Sequence, residues 1–93
     1  MPAAAVSTTV IRRLRDFAAA GRWTDVLAAY DTLDPAIQSQ AEVGLIGATA
    51  AARLGQLDRA AALGSEALER FRMRADTDGR LRAVNLLGAI SFE

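Results

Sequence analysis

The sequence lacks the residues on which much enzyme and metal chemistry depends. Its 93 residues contain no cysteine and no histidine. The absence of cysteine excludes disulfides, thiolate catalysis and cysteine-based metal sites. The absence of histidine removes the commonest general base and the commonest metal ligand. Lysine is missing too, so all eleven basic residues are arginine, which we attribute to genome composition, together with the excess of alanine.

Neither sign of charge predominates, and no apolar run is long. Eleven acidic residues balance eleven basic ones. This balance argues against a dedicated surface for nucleic acid or anionic membranes, because either would need a basic excess. No apolar run approaches the roughly 18 residues of a membrane span. The stretch MPAAAVSTT lacks a leading basic region, so we expect no secretory signal and a cytoplasmic location.

Nucleophiles and phosphate loops are not evident in the pattern. Ser39, Ser65 and Ser91 have no histidine to activate them. Gly44 and Gly47 lie inside a helical pattern and are not followed by the Lys-Ser/Thr of a phosphate-binding loop. We therefore predict no enzymatic activity, no catalytic residues and no cofactor.

One short stretch, DTDG at Asp76–Gly79, is similar to the start of a calcium loop. A calcium loop needs Gly at its sixth position and Glu at its twelfth. Those positions here carry Leu81 and Leu87. We interpret the stretch as a helix cap and predict no metal site.

Apolar residues recur at helical spacing along nearly the whole chain, and no segment alternates with the period of a strand. The pattern predicts an all-α fold of about five helices joined by short loops, which indicates antiparallel helical hairpins. The expected helices are one from Ser7 to a break at Gly21, one over 23–33, one from Pro35 to about Leu54, one over 57–71, and one beginning near Gly79 after a loop over 74–79.

Residues near the first glycine break have counterparts at one fixed distance further along the chain. Four pairs of residues are separated by this distance: Gly21 and Gly55, Trp23 and Leu57, Val26 and Ala60, Tyr30 and Gly64. The interval, about 34 residues, is the helix–turn–helix period of the tetratricopeptide repeat. The best-matching stretches are VNLLGAIS (84–91), GQLDRAAALGSEAL (55–68) and GRWTDVLAAYDTL (21–33). On these residues the chain resembles the tetratricopeptide repeat family.

The resemblance implies an α-α superhelix of two and a half repeats. It implies repeat 1 over about 7–40, repeat 2 over about 41–80 and an incomplete repeat 3 over about 81–93, after a disordered stretch at 1–6. The second interval is longer than the first, because additional residues fall between Phe71 and Gly79. This spacing is similar to variant repeats of bacterial signalling proteins, so we expect a piece of a longer protein. Another small helical bundle is the alternative fold.

Small residues are expected where the helices of such an array cross. Ala60 should meet Ala48. Ala67 and Leu68 should face the next helix near Val84 and Leu87, on an apolar face that also includes Leu81. Gly64 stands where the family has an aromatic residue, and the pattern does not explain it.

In function, the resemblance implies a protein–protein interaction module, a scaffold or regulatory domain that binds a protein or peptide on its concave face. The surface would carry Arg15, Glu42, Thr49, Arg53, Arg82 and Asn85, with Thr8, Ile11, Leu45 and Ala89 beside them. The set lacks the Lys and Asn pattern by which some family members clamp a peptide's terminal carboxylate. We therefore do not predict binding of chaperone tails.

Two other features have alternative interpretations. Arg12, Arg13 and Arg15 either contact an anionic partner or form a solvated helix face. Trp23 is either a binding residue or, as its place after the glycine break favours, a packing residue.

The last helix indicates a second possible function. Leu86, Leu87, Ile90 or Phe92 would be left partly uncovered, because a repeat cannot bury its apolar face alone. Homo-oligomerisation, as a homodimer through this helix, is therefore the alternative to a partner-binding surface.

Overall fold

The computed structural model describes residues 3–91 of the chain, and its side chains over 8–90. Residues 1 and 2 of the predicted disordered stretch, and Phe92 and Glu93 of the third repeat, lie outside this range. The described residues form helices with no strand, which confirms the all-α prediction. The helices are α1 (Ala3–Ala19), α2 (Trp23–Asp31), α3 (Pro35–Gln38), α4 (Ala41–Arg53), α5 (Leu57–Met73) and α6 (Thr77–Ser91).

The first helix begins earlier than its expected start at Ser7. Its backbone is helical from Ala3, through a run of three alanines. Alanine has the highest helix propensity, which accounts for the extension.

The single helix predicted from Pro35 to about Leu54 is wrong, because the chain forms α3 and α4 with a break between them. Gln40 is extended, at φ −71° and ψ 136°. The hydroxyl of Ser39 donates to the carbonyl of Ala36 at 3.0 Å, a local bond that competes with helix continuation. The side-chain amide of Gln38 donates to the carbonyl of Tyr30 at 2.8 Å, which ties the short helix to α2.

The three turns that reverse the chain between long helices share one geometry. Gly21, Gly55 and Ala75 each occupy the left-handed region, at φ 72°, 79° and 53°. At the first turn the N–H of Arg22 donates to the carbonyl of Phe17 at 2.9 Å, and equivalent bonds close the other two at 2.8 and 2.9 Å. This is the Schellman pattern of helix C-termini, which favours glycine. It explains why two of the three turns were recognisable from the sequence.

The turn between α5 and α6 is shorter than the loop predicted over 74–79. The additional residues of the longer repeat continue α5 to Met73 and start α6 at Thr77. The carboxylate of Asp76 accepts a hydrogen bond from the N–H of Gly79 at 2.9 Å, as an N-cap residue does. The capping interpretation of this stretch is therefore confirmed.

α4 lies at the centre of the molecule and contacts the other five helices. Its residues take part in two hydrophobic clusters, and Ala48 and Ala60 are fully buried where α4 packs on α5. The first cluster contains Leu14, Val26, Leu27, Tyr30, Val43 and Ala50. The second contains Ala41, Leu45, Ala67, Phe71 and Ala83.

Two helix crossings place a large side chain against a glycine. A Cβ at Gly47 on α4 would lie 2.9 Å from Cδ2 of Tyr30 on α2. A Cβ at Gly64 on α5 would lie 3.0 Å from Cδ2 of Leu87 on α6. Both distances are shorter than ordinary van der Waals contact. Gly64 is therefore explained, because it gives Leu87 the space that an aromatic residue would fill.

The apolar face predicted for the last helix is wrong at two of its three positions. Leu81 and Val84 are 58% and 50% exposed, and α6 buries Gly79 and Ala83 instead. The reason lies on α5, where Phe71 is fully buried and a Cβ at Gly79 would overlap its ring. Only small residues allow α6 to approach Phe71 this closely, and burial of that ring stabilises the pairing.

The predicted neighbours of Ala67 and Leu68 are corrected in the same way. Ala67 packs in a cluster with Ala83, so Ala83 takes the place expected for Val84. Leu87 does face α5, through its contact with Gly64.

Candidate interaction surface

One carboxylate joins three helices that are distant in the sequence. Glu42, in the first turn of α4, accepts hydrogen bonds from Arg15 of α1 at 2.5 Å and from Arg82 of α6 at 3.2 Å. Arg82 binds both carboxylate oxygens through its two terminal nitrogens, the bidentate geometry that makes such pairs strong. We call the surface of α1, α4 and α6 around this cluster the three-helix surface.

The environment of Glu42 keeps it ionised. Partial burial alone would raise the pKa of this carboxyl, but hydrogen bonds from Arg82 and Arg15 outweigh burial, and the pKa lies below its ordinary value. Glu42 also stands at the N-terminus of α4, where the helix dipole favours a negative charge. The side chain is 17% exposed, so it acts mainly as an internal partner of the two arginines.

The arginines keep contact with solvent. The side chains of Arg15 and Arg82 are 61% and 44% exposed. A guanidinium has five N–H donors, so each retains donors beyond those that Glu42 accepts. Arg82 also pairs with Asp78 at 3.4 Å and lies over the ring of Phe71, 5.9 Å from its centroid. The cluster thus presents fixed, partly open guanidinium groups.

An open cavity of about 670 Å³ lies beside the cluster. α1, the link before α4 and the end of α5 all contribute to it. Arg70 of α5 and Arg74, which caps that helix, line it together with Arg15 and Asp76. Sequence reasoning missed these two arginines, because it assigned the surface to the first helix of each repeat only. Their i, i+4 spacing on one helix face was the available signal.

The other side of the cluster is more apolar. A cavity of about 230 Å³ is lined by Ala18, Trp23, Leu45, Ile46, Thr49 and Arg82. A second cavity of about 440 Å³ adjoins it at Thr49 and extends to Arg53, Leu86 and Ile90. The guanidinium of Arg53 lies over the ring of Trp23, 5.6 Å from the centroid. A charged region and an apolar region therefore adjoin on the three-helix surface.

The predicted residues fall into three groups. Arg15, Glu42 and Arg82 form the ion-pair cluster. Thr49 and Arg53 line the neighbouring apolar cavity, where the Thr49 hydroxyl donates to the Leu45 carbonyl at 2.9 Å. The flanking Thr8 and Ile11 line cavities with Arg15, and Ala89 lines one with Arg53.

Two predicted positions differ from this pattern. Asn85 is exposed and takes no part in the ion-pair cluster. Leu45 is only 6% exposed and belongs to the second core cluster. Its predicted display to a partner is therefore corrected, since most of its surface is already buried.

The remaining candidates, the arginines of α1 and Trp23, do not form one site. Arg12 and Arg13 are exposed and form no ion pair with a described side chain, whereas Arg15 is bound by Glu42. The three arginines are therefore not one site. Trp23 is half-buried and packs against the first core cluster, which confirms its packing role.

Within residues 3–91, no group of three or more acidic residues could hold a metal ion. None of the helices there combines the length and apolar character that crossing a membrane requires. Comparison with models of protein families, with curated proteins and with solved structures finds no match to this chain.

Proposed function

We propose that this chain is a non-enzymatic, tetratricopeptide-like interaction module that binds a protein or peptide partner on its three-helix surface. The cluster of Arg15, Glu42 and Arg82 is the observation that carries the proposal, because it fixes exposed guanidinium groups from two helices at one place. The module would serve as a scaffold or regulatory domain, displaying side chains rather than making bonds.

The tetratricopeptide-like assignment is supported by equivalent contacts in successive units. Tyr30 and Gly64 are separated by the first repeat interval, and Gly47 and Leu87 by the longer second interval. These four residues form two equivalent crossings. Each crossing joins the second helix of one unit to the first helix of the next.

The surface favours a partner segment with a carboxylate beside an apolar side chain. The carboxylate would accept the donors that Arg15 and Arg82 retain, in the bidentate geometry typical of arginine. The apolar side chain would enter the cavity beside Trp23 and Thr49.

Selection of peptides from a random display library tests the proposal. We expect selected peptides to lose about tenfold or more in affinity, about 1.4 kcal/mol, for Arg15→Glu and for Arg82→Glu. Arg13→Glu is the matched control, because Arg13 lies on α1 outside the cluster, and it should change affinity less than about twofold. Circular dichroism establishes that each variant is folded. Selected peptides that bind the cluster variants as tightly as the original chain contradict the proposal.

Self-association through α6 is the second candidate function. The exposure of Leu81 and Val84 favours it, since large exposed apolar residues often mark an interface. Light scattering over a range of concentrations distinguishes the two functions. A monomer at every concentration removes self-association and leaves partner binding.

A further inference from the structure

The exposed side of α6 is equivalent to a side of α4 that the fold covers. Leu81, Val84 and Gly88 follow Ala41, Gly44 and Ala48 by the interval that separates the second and third units. Leu81, Val84 and Gly88 are exposed, and we call them the α6 strip. The three α4 residues are buried.

α5 is the helix that covers the equivalent positions on α4. A Cβ at Gly44 would lie 3.7 Å from the Cβ of Ala67, and a Cβ at Gly64 would lie 3.9 Å from the Cβ of Ala48. The register therefore identifies the kind of element that fits the α6 strip, namely a helix that lies along α6 as α5 lies along α4.

The shape of the α6 strip also favours a docked helix. Leu81 and Val84 form a ridge at its start, whereas a Cβ at Gly88 would meet no other described side chain within 4 Å. Gly88 is seven residues after Leu81, two turns further along the same face. Elsewhere in this fold the crossing glycines receive a large side chain from the opposite helix, as Gly47 receives Tyr30 and Gly64 receives Leu87. Gly88 corresponds by the same interval to Ala48, which packs on α5, and because it has no side chain it leaves the opposite helix more space than Ala48 does.

Charge beside the strip defines the chemistry of the occupant. Arg80 lies one turn before Val84, is exposed, and forms no ion pair with any described side chain. Arg82, on another side of α6, is already bound by Glu42 and Asp78. A helix seated on the strip would therefore gain a charge-assisted contact if it carried a carboxylate opposite Arg80.

We propose that the α6 strip docks an amphipathic helix of a partner protein, with a large apolar residue over Gly88 and acidic residues flanking its apolar face. The docked helix would contact the strip through apolar residues at helical spacing, as amphipathic helices do on hydrophobic surfaces. It goes beyond the proposed function, because the strip is a different surface from the one that holds Arg15 and Glu42.

A second copy of the chain fits the strip less well. A second α6 brings another Arg80, and the carboxylate that it carries, Asp78, is already paired with Arg82.

The test measures binding of a labelled synthetic helix to the chain by fluorescence anisotropy. The probe is an amphipathic peptide of about 15 residues with leucine and alanine on one face and glutamate at the flanks. The matched probe has lysine in place of each glutamate. We expect the glutamate peptide to bind about tenfold more tightly or better, and its affinity to fall with added salt.

Variants of the strip locate the binding. Leu81→Ser and Val84→Ser should each lower the affinity about tenfold, and both should fold, because these side chains are largely exposed. Leu54→Ser, at an exposed leucine after α4, is the control and should leave binding unchanged. Arg80→Glu should reverse the preference towards the lysine peptide. Gly88→Leu should weaken binding by filling the space over Gly88 while leaving the fold intact.

Several results overturn the proposal. One is equal affinity for the two peptides, and another is unchanged binding by the strip variants. A dimer of the free chain that Leu81→Ser dissociates shows that a second copy occupies the strip. Arg80-dependent binding to phosphatidylserine vesicles without peptide selectivity identifies a membrane surface. In an Arg15→Glu background, which removes the proposed contact on the three-helix surface, Leu81→Ser should still lower the affinity for the glutamate peptide, so failure of the proposed function and failure of this inference are separable.

Discussion

The crossing of α2 with α4 and the crossing of α5 with α6 occupy equivalent positions but exchange large and small residues. In the first, the second helix of the unit supplies Tyr30 and the following helix supplies Gly47. In the second, the second helix supplies Gly64 and the following helix supplies Leu87. Each crossing therefore keeps one large and one small residue, although the helix that carries the large one changes.

This exchange shows that the two crossings have a similar combined volume of their two facing side chains. Neither position requires one particular residue type. They differ in rigidity. Tyr30 is 5% exposed and presents a flat, buried ring, whereas Leu87 is half-buried and ends in a flexible branched group. A change of equal size should therefore have unequal effects at the two places.

Gly79→Ala should destabilise the C-terminal region most. The new Cβ would overlap the ring of Phe71, which is fully buried and has little room to move. We expect a loss of about 2 kcal/mol in the free energy of unfolding, measured by urea denaturation, since overpacking outweighs the gain in helix propensity. Gly88→Ala is the matched control, because its Cβ would meet none of the described side chains within 4 Å, and it should raise stability slightly. A Gly79→Ala variant as stable as the original chain would contradict the close contact.

Gly47→Ala should be destabilising at the N-terminal crossing. Its Cβ would meet Cδ2 and Cε2 of Tyr30 at 2.9 and 3.0 Å. Because the ring is buried and planar, we expect a loss of about 1.5 kcal/mol in the same measurement. Tyr30→Leu made together with Gly47→Ala should recover part of that loss relative to the sum of the two single changes. Strict additivity of the two changes would show that these residues do not interact.

Glu42→Gln should weaken the ion-pair cluster that joins the N-terminal helix α1 to the C-terminal helix α6, since Arg15 lies on α1 and Arg82 on α6. We expect a loss of about 1 kcal/mol at neutral pH. The pKa of Glu42 is lowered in the folded protein, so its contribution is fully present above the ordinary carboxyl pKa and is lost as the pH falls through the lowered value. The stability difference between the variant and the original chain should therefore shrink below about pH 4. A difference that is constant from neutral pH down to about pH 3 would contradict an ionised Glu42.

Gly64→Ala should have the smallest effect and the opposite sign to Gly47→Ala. The nearest atom to its new Cβ is the terminal Cδ2 of Leu87, at 3.0 Å, and the other two neighbours lie at 3.5 and 3.9 Å. A shift of a few tenths of an ångström in this half-buried side chain relieves the contact, while alanine gains up to about 1 kcal/mol in helix propensity. We expect a net gain of a few tenths of a kcal/mol by thermal denaturation. A loss as large as that of Gly47→Ala would show that the two crossings are equally rigid.

The sequence predicted features whose signal is local. The glycine turns at Gly21 and Gly55 were recognisable because glycine favours positive φ. Arg15, Glu42 and Arg82 were placed on one surface because they lie on the first helices of their units, Glu42 and Arg82 at equivalent positions. The turn at Ala75 was not predicted as such, since alanine carries no signal for a left-handed conformation, which the surrounding hydrogen bonds impose.

The orientation of α6 could not be read from α6 itself. Its larger residues, Leu81 and Val84, follow helical spacing as well as the small ones do, and hydrophobicity favours burying the larger pair. The deciding residue is Phe71 on another helix, whose ring requires Gly79 and Ala83 against it. Sequence periodicity measures how apolar a face is, but not how closely it must approach its neighbour.

The position of Glu42 has a consequence for the order of folding. Its two partners lie 27 and 40 residues away along the chain, so the cluster forms only after three separate segments have come together. Contacts with such sequence separation require loop closure before they stabilise anything. Glu42→Gln should therefore accelerate unfolding in stopped-flow measurements while leaving the rate of refolding nearly unchanged, as expected for an interaction absent from the transition state. On this basis the ion pairs of Glu42 form late in folding, and they stabilise an arrangement of helices that the helix crossings have already established.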